Sequence, residues 1–179
     1  MQGTQGFRGF SLYELLLTLG IAAIVMTLGL PSFGRIAANQ RIRAQIDPVF
    51  HAIHLARKIS ITRRQVVTLC PSADQSQCLE SNDWSSGWIM FVNVDRDMPA
   101  WRDDDETLLA VHRGDARVRI EANRRSFTLR ATELRATNGT LLFCDRAGRA
   151  SSRALVVSYT GRPRVSDRDT SGHSWACAD

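Results

Sequence analysis

Two sets of side chains in this chain are spaced for chemistry. The first is Gly9 with Glu14, at the head of an apolar run that reaches Leu30 and carries no other charge. A carboxylate held in an apolar span costs roughly 2.5–3.5 kcal/mol on insertion scales, so it is retained for a function. It calls for a cationic partner. An amine on a neighbouring helix could supply one. The second set is Gly161-Arg162-Pro163-Arg164, directly after the apolar stretch 154–159. Proline fixes its own φ and biases the residue before it toward an extended shape. Arg162 and Arg164 are therefore expected splayed and pre-ordered, with Gly161 allowing a turn that lifts both off the sheet. An arginine fork matches a phosphate in geometry.

Charge density around the second set points the same way. Segment 145–168 holds the arginines 146, 149, 153, 162, 164 and 168 against two aspartates, an excess of 6 − 2 = 4. Arg146, Arg149, Arg153 and Arg168 are thus expected to support Arg162 and Arg164. The chemistry would be contact with a phosphate backbone, independent of base sequence. Two plainer roles compete: contact with a neighbouring subunit, or charge and proline guarding a sheet edge. Tyr159 and Trp175 are candidates for stacking on bases, with packing the better expectation for each.

The composition agrees with an anionic partner without requiring one. The 179 residues carry 23 basic and 18 acidic side chains, for a net charge of +5, and Lys58 is the only lysine. The sequence pI is about 9.6, which fits nucleic acid and equally fits simple solubility.

Four cysteines, Cys70, Cys78, Cys144 and Cys177, all follow the apolar run. An even number in an exported domain implies two disulfides, with three possible connectivities. Cys70–Cys78 with Cys144–Cys177 is favoured because the first pair closes a short polar loop. The second would then bracket the arginine motif and hold its loop. Zinc is disfavoured, since there is no CxxC pair and no suitably spaced histidine.

Other candidate sites are weaker. Asp95, Asp97, Asp103 and Glu106 match positions 1, 3, 9 and 12 of a calcium loop, but Pro99 and Ala100 stand where a ligand and a glycine are required. A solvated loop pairing with arginines is the expectation. His51 and His54 are expected at a surface or interface. No nucleophile elbow and no glycine-rich phosphate loop is present, so the sequence offers no enzyme, and no cofactor is expected.

The elements that must position these residues follow from periodicity. Residues 10–30 would form a helix of ~31 Å at 1.5 Å per residue, the thickness of a bilayer core. Arg8 favours a cytoplasmic N-terminus, which places everything after Pro31 outside the cytoplasm. Ile36, Ile42, Ile46, Val49, Ile53 and Ala56 continue at helical spacing among arginines, so residues 31–62 form an amphipathic extension. Pro31 is expected to kink it. Asp47-Pro48 reads as a second kink or as an N-cap with proline at the first helical position. From Gln65 the pattern turns to strands at 65–70, 87–94, 108–112, 117–121, 126–130, 140–144 and 154–159. The fold class is α+β: one long N-terminal helix packed on an antiparallel β domain.

Gly9-Phe10-Ser11-Leu12-Tyr13-Glu14-Leu15-Leu16 resembles the processing site of type IV prepilins and pseudopilins, with Pro31 at the family's proline position and Tyr13 where a smaller aliphatic residue is usual. The resemblance implies cleavage by prepilin peptidase between Gly9 and Phe10, N-methylation of Phe10, and assembly roles for Glu14 and Pro31. The later segments Val67-Thr68-Leu69-Cys70-Pro71, Trp84-Ser85-Ser86-Gly87-Trp88-Ile89-Met90-Phe91 and Phe143-Cys144-Asp145 resemble minor pilins and pseudopilins of the GspH/FimT type, as does the acidic stretch around Asp103 to Leu109. Gly161, Arg162 and Arg164 resemble the C-terminal motif of FimT-type minor pilins that bind DNA in natural transformation. Trp84 and Trp88 are expected in the core.

The layout implied is a leader at 1–9, a transmembrane and assembly helix at 10–30, its amphipathic continuation at 31–62 and a globular domain at 63–179. The implied partners are other pilin subunits, prepilin peptidase, the inner membrane and double-stranded DNA. The subunit would sit in the inner membrane with a periplasmic domain and then in a pilus. The alternative is a structural pseudopilin of a type II secretion system.

Overall fold

A computed structural model of the chain describes residues 11–131 and 136–177, and the side chains of all of these except 28–32. The expected leader, with Gly9 and Phe10, lies outside the described residues. The chain divides into two compact units, Met1–Ala37 and Ala38–Asp179.

One helix, α1, spans Leu12–Arg63. It starts at a cap: Ser11 Oγ accepts the Glu14 backbone N–H at 3.2 Å. Glu14 lies in the first turn, where a carboxylate meets the positive end of the helix dipole. In the first unit, Leu12, Leu15, Leu16, Leu19, Ile24 and Val25 are all exposed. Among the described residues no helix is long and apolar enough to cross a membrane. The expected span of 10–30 begins and ends outside the described side chains.

The helix is unbroken through Pro48, so Asp47-Pro48 is not an N-cap. Proline there removes the bond to the Ala44 carbonyl, at about 3 kcal/mol. The burial of Ile46 and Val49 on either side offsets it. Ala38, Ile42, Ile46, Val49, Ile53 and Ala56 form one buried stripe. The helix ends at Arg64, whose φ of 53° is left-handed.

The second unit builds two four-stranded antiparallel sheets. The strands are β1 (Val67–Pro71), β2 (Gly87–Val92), β3 (Leu108–Arg113), β4 (Val118–Ala122), β5 (Phe127–Leu129), β6 (Gly139–Asp145), β7 (Arg153–Val157) and β8 (Pro163–Ser166). The orders are β3-β2-β1-β5 and β4-β6-β7-β8. The helix stripe, Val67, Leu69, Trp88 and Met90 of the first sheet, and Ile120, Leu141, Phe143, Leu155 and Val157 of the second make one core. Trp84 and Trp88 are buried in it, as expected.

The other face of the first sheet has a small core of its own, where Cys70, Cys78, Ile89 and Phe91 pack with Ala100. That explains why β1 and β2 are buried at every position rather than alternating. Seven strands lie where the sequence places them. The eighth, β8, opens with proline, which edge strands tolerate at their first residue.

Candidate nucleic-acid interface

Gly161 sits in the turn that joins β7 to β8. Its φ is +70°, a conformation that costs an L-residue roughly 1–2 kcal/mol. A Cβ there would also lie 3.1 Å from Leu129 Cδ2 and 3.2 Å from Ala136 Cβ. Both constraints select glycine. Gly161 N–H donates to the Ser158 carbonyl at 2.8 Å, and Ser158 N–H to the Arg162 carbonyl at 3.0 Å. Arg162 N–H donates to Ser158 Oγ at 3.1 Å. The turn is therefore fixed by its own bonds.

Arg162 and Arg164 are both exposed, while Pro163 between them is buried. Pro163 pairs with Val157 and Arg164 with Val156. Arg164 is thus within β8, the outer strand of its sheet, and not lifted off it; only Arg162 is in the turn. Directly opposed residues share a face, so Arg164 lies with Val156 on the face away from Leu155 and Val157. Among the described residues, neither guanidinium has an acidic partner.

The expected supporting arginines are elsewhere. Arg146 and Arg149 lie in the turn between β6 and β7, and Arg153 is the first residue of β7. Gly161 and Arg162 follow the other end of that five-residue strand, about 17 Å away at ~3.3 Å per residue. Arg168 lies beyond β8, and its Nη1 donates to the Gly172 carbonyl at 3.0 Å. Among the described residues, the basic ones that lie beside Gly161 are Arg57 of α1 and Arg130 after β5, which share with it a small cleft of about 50 Å³. Sequence distance hid both. The only signal was that Arg57 borders the buried Ala56 at the edge of the helix stripe.

Both favoured disulfides are formed, Cys70–Cys78 and Cys144–Cys177. The second does not hold the arginine turn. Cys144 is next to Asp145, at the end of β6 away from Gly161, and it ties the C-terminal segment to the outer face of the sheet. There Ser152 Oγ donates to the Trp175 carbonyl. Tyr159 is 50% exposed, against the expectation of packing, and Trp175 is half-buried.

The acidic loop is structural. Glu106, 3% exposed, accepts the backbone N–H groups of Val94 at 2.5 Å and Asp103 at 3.3 Å. Burial pushes its carboxyl above the usual glutamate range. Asp97 accepts from Trp101 N–H at 2.7 Å and from Asn93 Nδ2 at 2.9 Å. Among the described residues, no group of three or more His, Cys, Asp or Glu could hold a metal ion. Asp97 and Glu106 thus accept bonds from their own loop. His51 and His54 are exposed and flank the Phe50 ring, as expected of surface residues.

A family model described as Type II transport protein GspH matches residues 46–161. No curated protein matches the sequence. Among solved structures, the type IV minor pilin FimU of Pseudomonas aeruginosa PAO1 in space group P21 is similar with a TM-score of 0.51 at 17% identity, over 72% of this chain and 90% of that one. In space group P65 the values are 0.49, 17%, 69% and 91%. At this identity the likeness of the first shows the fold alone, an N-terminal helix packed on antiparallel sheets as in a minor pilin. The family match covers more than half of the chain and reaches from the buried stripe of α1 to Gly161, so the chain belongs to the GspH family.

Proposed function

We propose that this GspH-family subunit is a minor type IV pilin that binds double-stranded DNA for uptake in natural transformation. The observation that carries the reading is the turn at Gly161. It is locked by a left-handed glycine with no room for a side chain, and it presents Arg162 and Arg164 exposed and, among the described residues, without acidic partners. Pre-ordering lowers the entropy lost on binding. Contact would be with phosphates, which supply affinity without base readout. Arg57 and Arg130 add charge beside the turn.

Further parts of the reading rest on the N-terminal sequence. Prepilin peptidase cuts between Gly9 and Phe10, Phe10 is N-methylated, and residues 10–30 anchor the subunit in the inner membrane until assembly. Glu14 pairs with the Phe10 amine of a neighbouring pilin, and the cap at Ser11 keeps Glu14 in the first turn. The subunit is a structural protein and not an enzyme.

A second reading, a structural pseudopilin of a type II secretion system, is favoured by the description of the family. The match ends at Gly161, before both arginines. A deletion strain separates the two readings. Loss of transformation with secretion intact supports the first, and loss of secretion alone overturns it.

A further inference from the structure

The arginines expected to support the Gly161 turn form a cluster of their own at the far end of β7. Arg41 of α1, Arg117 before β4, and Arg146 and Arg149 of the turn between β6 and β7 line one open cleft of about 460 Å³, with only Ala116 and Ala147 beside them. We propose that this cleft is a second phosphate-binding site, one that contacts the backbone of the same DNA duplex as the Gly161 turn. The inference rests on the DNA-binding reading above.

The cleft is held by a polar frame. Asp145, whose side chain is 1% exposed, lies 3.7 Å from Arg41. Its Oδ2 accepts the Arg149 backbone N–H at 2.8 Å, and its carbonyl accepts Gly148 N–H at 3.0 Å. Asp145 Oδ1 has no hydrogen bond although it is buried, so the Arg41 charge is what offsets its desolvation. Arg146 N–H donates to the Arg117 carbonyl at 2.9 Å and clips the turn to the segment before β4. Asp115 grips Arg117 with two bonds, at 3.0 Å and 2.8 Å. Four guanidinium groups thus face two carboxylates, and the cleft keeps 4 − 2 = +2. Among the described residues, the side chains of Arg146 and Arg149 have no acidic partner, and both are exposed.

The ligand class follows from these groups. Paired forks on two loops and a helix suit tetrahedral phosphate oxygens. Duplex DNA carries one charge per ~1.7 Å of axis. The ~17 Å of β7 that separates the two clusters therefore faces about ten phosphates, and one duplex can reach both. The rival occupant is the acidic loop of a second copy. Glu106 of that loop is buried, and Asp97 already accepts a bond from its own backbone, which leaves Asp95 and Asp103 to Asp105 exposed for such a contact.

The test uses the full chain and a labelled duplex of about 30 bp, ~100 Å long, titrated by fluorescence anisotropy over a range of salt. Arg146→Ala with Arg149→Ala is expected to weaken binding and to flatten the log–log salt slope by about 1.8, at ~0.9 per lost contact. Combination with Arg162→Ala and Arg164→Ala should flatten it further. An unchanged slope for the first pair with a flattened slope for the second overturns the cleft and leaves the Gly161 reading intact. The reverse pattern supports the cleft and overturns the Gly161 turn. Unchanged slopes for both overturn both. Unchanged DNA binding with loss of self-association in sedimentation velocity also overturns the cleft, in favour of the acidic-loop partner. An unfolding midpoint equal to the parent's keeps the comparison valid.

Discussion

At the scale of single residues, the fold is most sensitive where one atom has no freedom. Gly161→Ala adds a Cβ at a positive φ and against Leu129 and Ala136. The expected loss is about 1–3 kcal/mol, read as a lower urea midpoint with an unchanged slope. Glu106→Ala strips two part-buried backbone N–H groups of their acceptor and should cost about 1–2 kcal/mol. Two of the perturbed carboxylates, Asp115 and Glu106, predict opposite pH dependences. Asp115 is held at about 2 by its bonds to Arg117. Its contribution is full above the ordinary value of 3.8 and is lost as pH falls toward 2. Glu106 is raised by burial from 4.5, so its ionisation destabilises the fold, and stability falls as pH rises above 4.5. Unfolding midpoints of Asp115→Asn and Glu106→Ala between about pH 2 and pH 6 should differ from the parent's at opposite ends of that range.

At the scale of elements, the Cys144–Cys177 bond and the Gly161 turn lie at opposite ends of the second sheet. Replacing both cysteines by serine should therefore destabilise the domain, by up to about 3.8 kcal/mol on the chain-entropy model, yet leave the DNA affinity of the folded protein within about twofold of the parent's, well below one phosphate contact. Denaturant melts paired with anisotropy check both halves. Alternation made β4 legible in the sequence, where Val118, Ile120 and Ala122 are buried in turn. It could not show β8, because Pro163 and Arg164 break any apolar run. Nor could it divide the strands into two sheets. That division depends on β5 pairing with β1 and β4 with β6, which are contacts distant in sequence. The acidic loop was expected solvated and paired with arginines, but Glu106 turns inward to the backbone.

At the scale of the whole molecule, the arginine motif was legible as a turn at glycine followed by two splayed arginines, although the second of them lies in β8 and not off the sheet. Its surroundings were not. Helix packing brings Arg57 to Gly161 and Arg41 to Asp145, while the strand geometry carries Arg146 and Arg149 away. Two basic regions result where the sequence implied one, both on the unit that begins at Ala38. The DNA affinity of the full chain should therefore fall steeply with salt, with a log–log slope of about −0.9 per phosphate neutralised. The central claim is that Arg162 and Arg164 contact phosphates. Its most direct test is the salt slope of duplex binding by the full chain against that of the Arg162→Ala, Arg164→Ala variant. A slope flatter by about 1.8 with unfolding unchanged is the predicted result; an identical slope and affinity in the variant would contradict it.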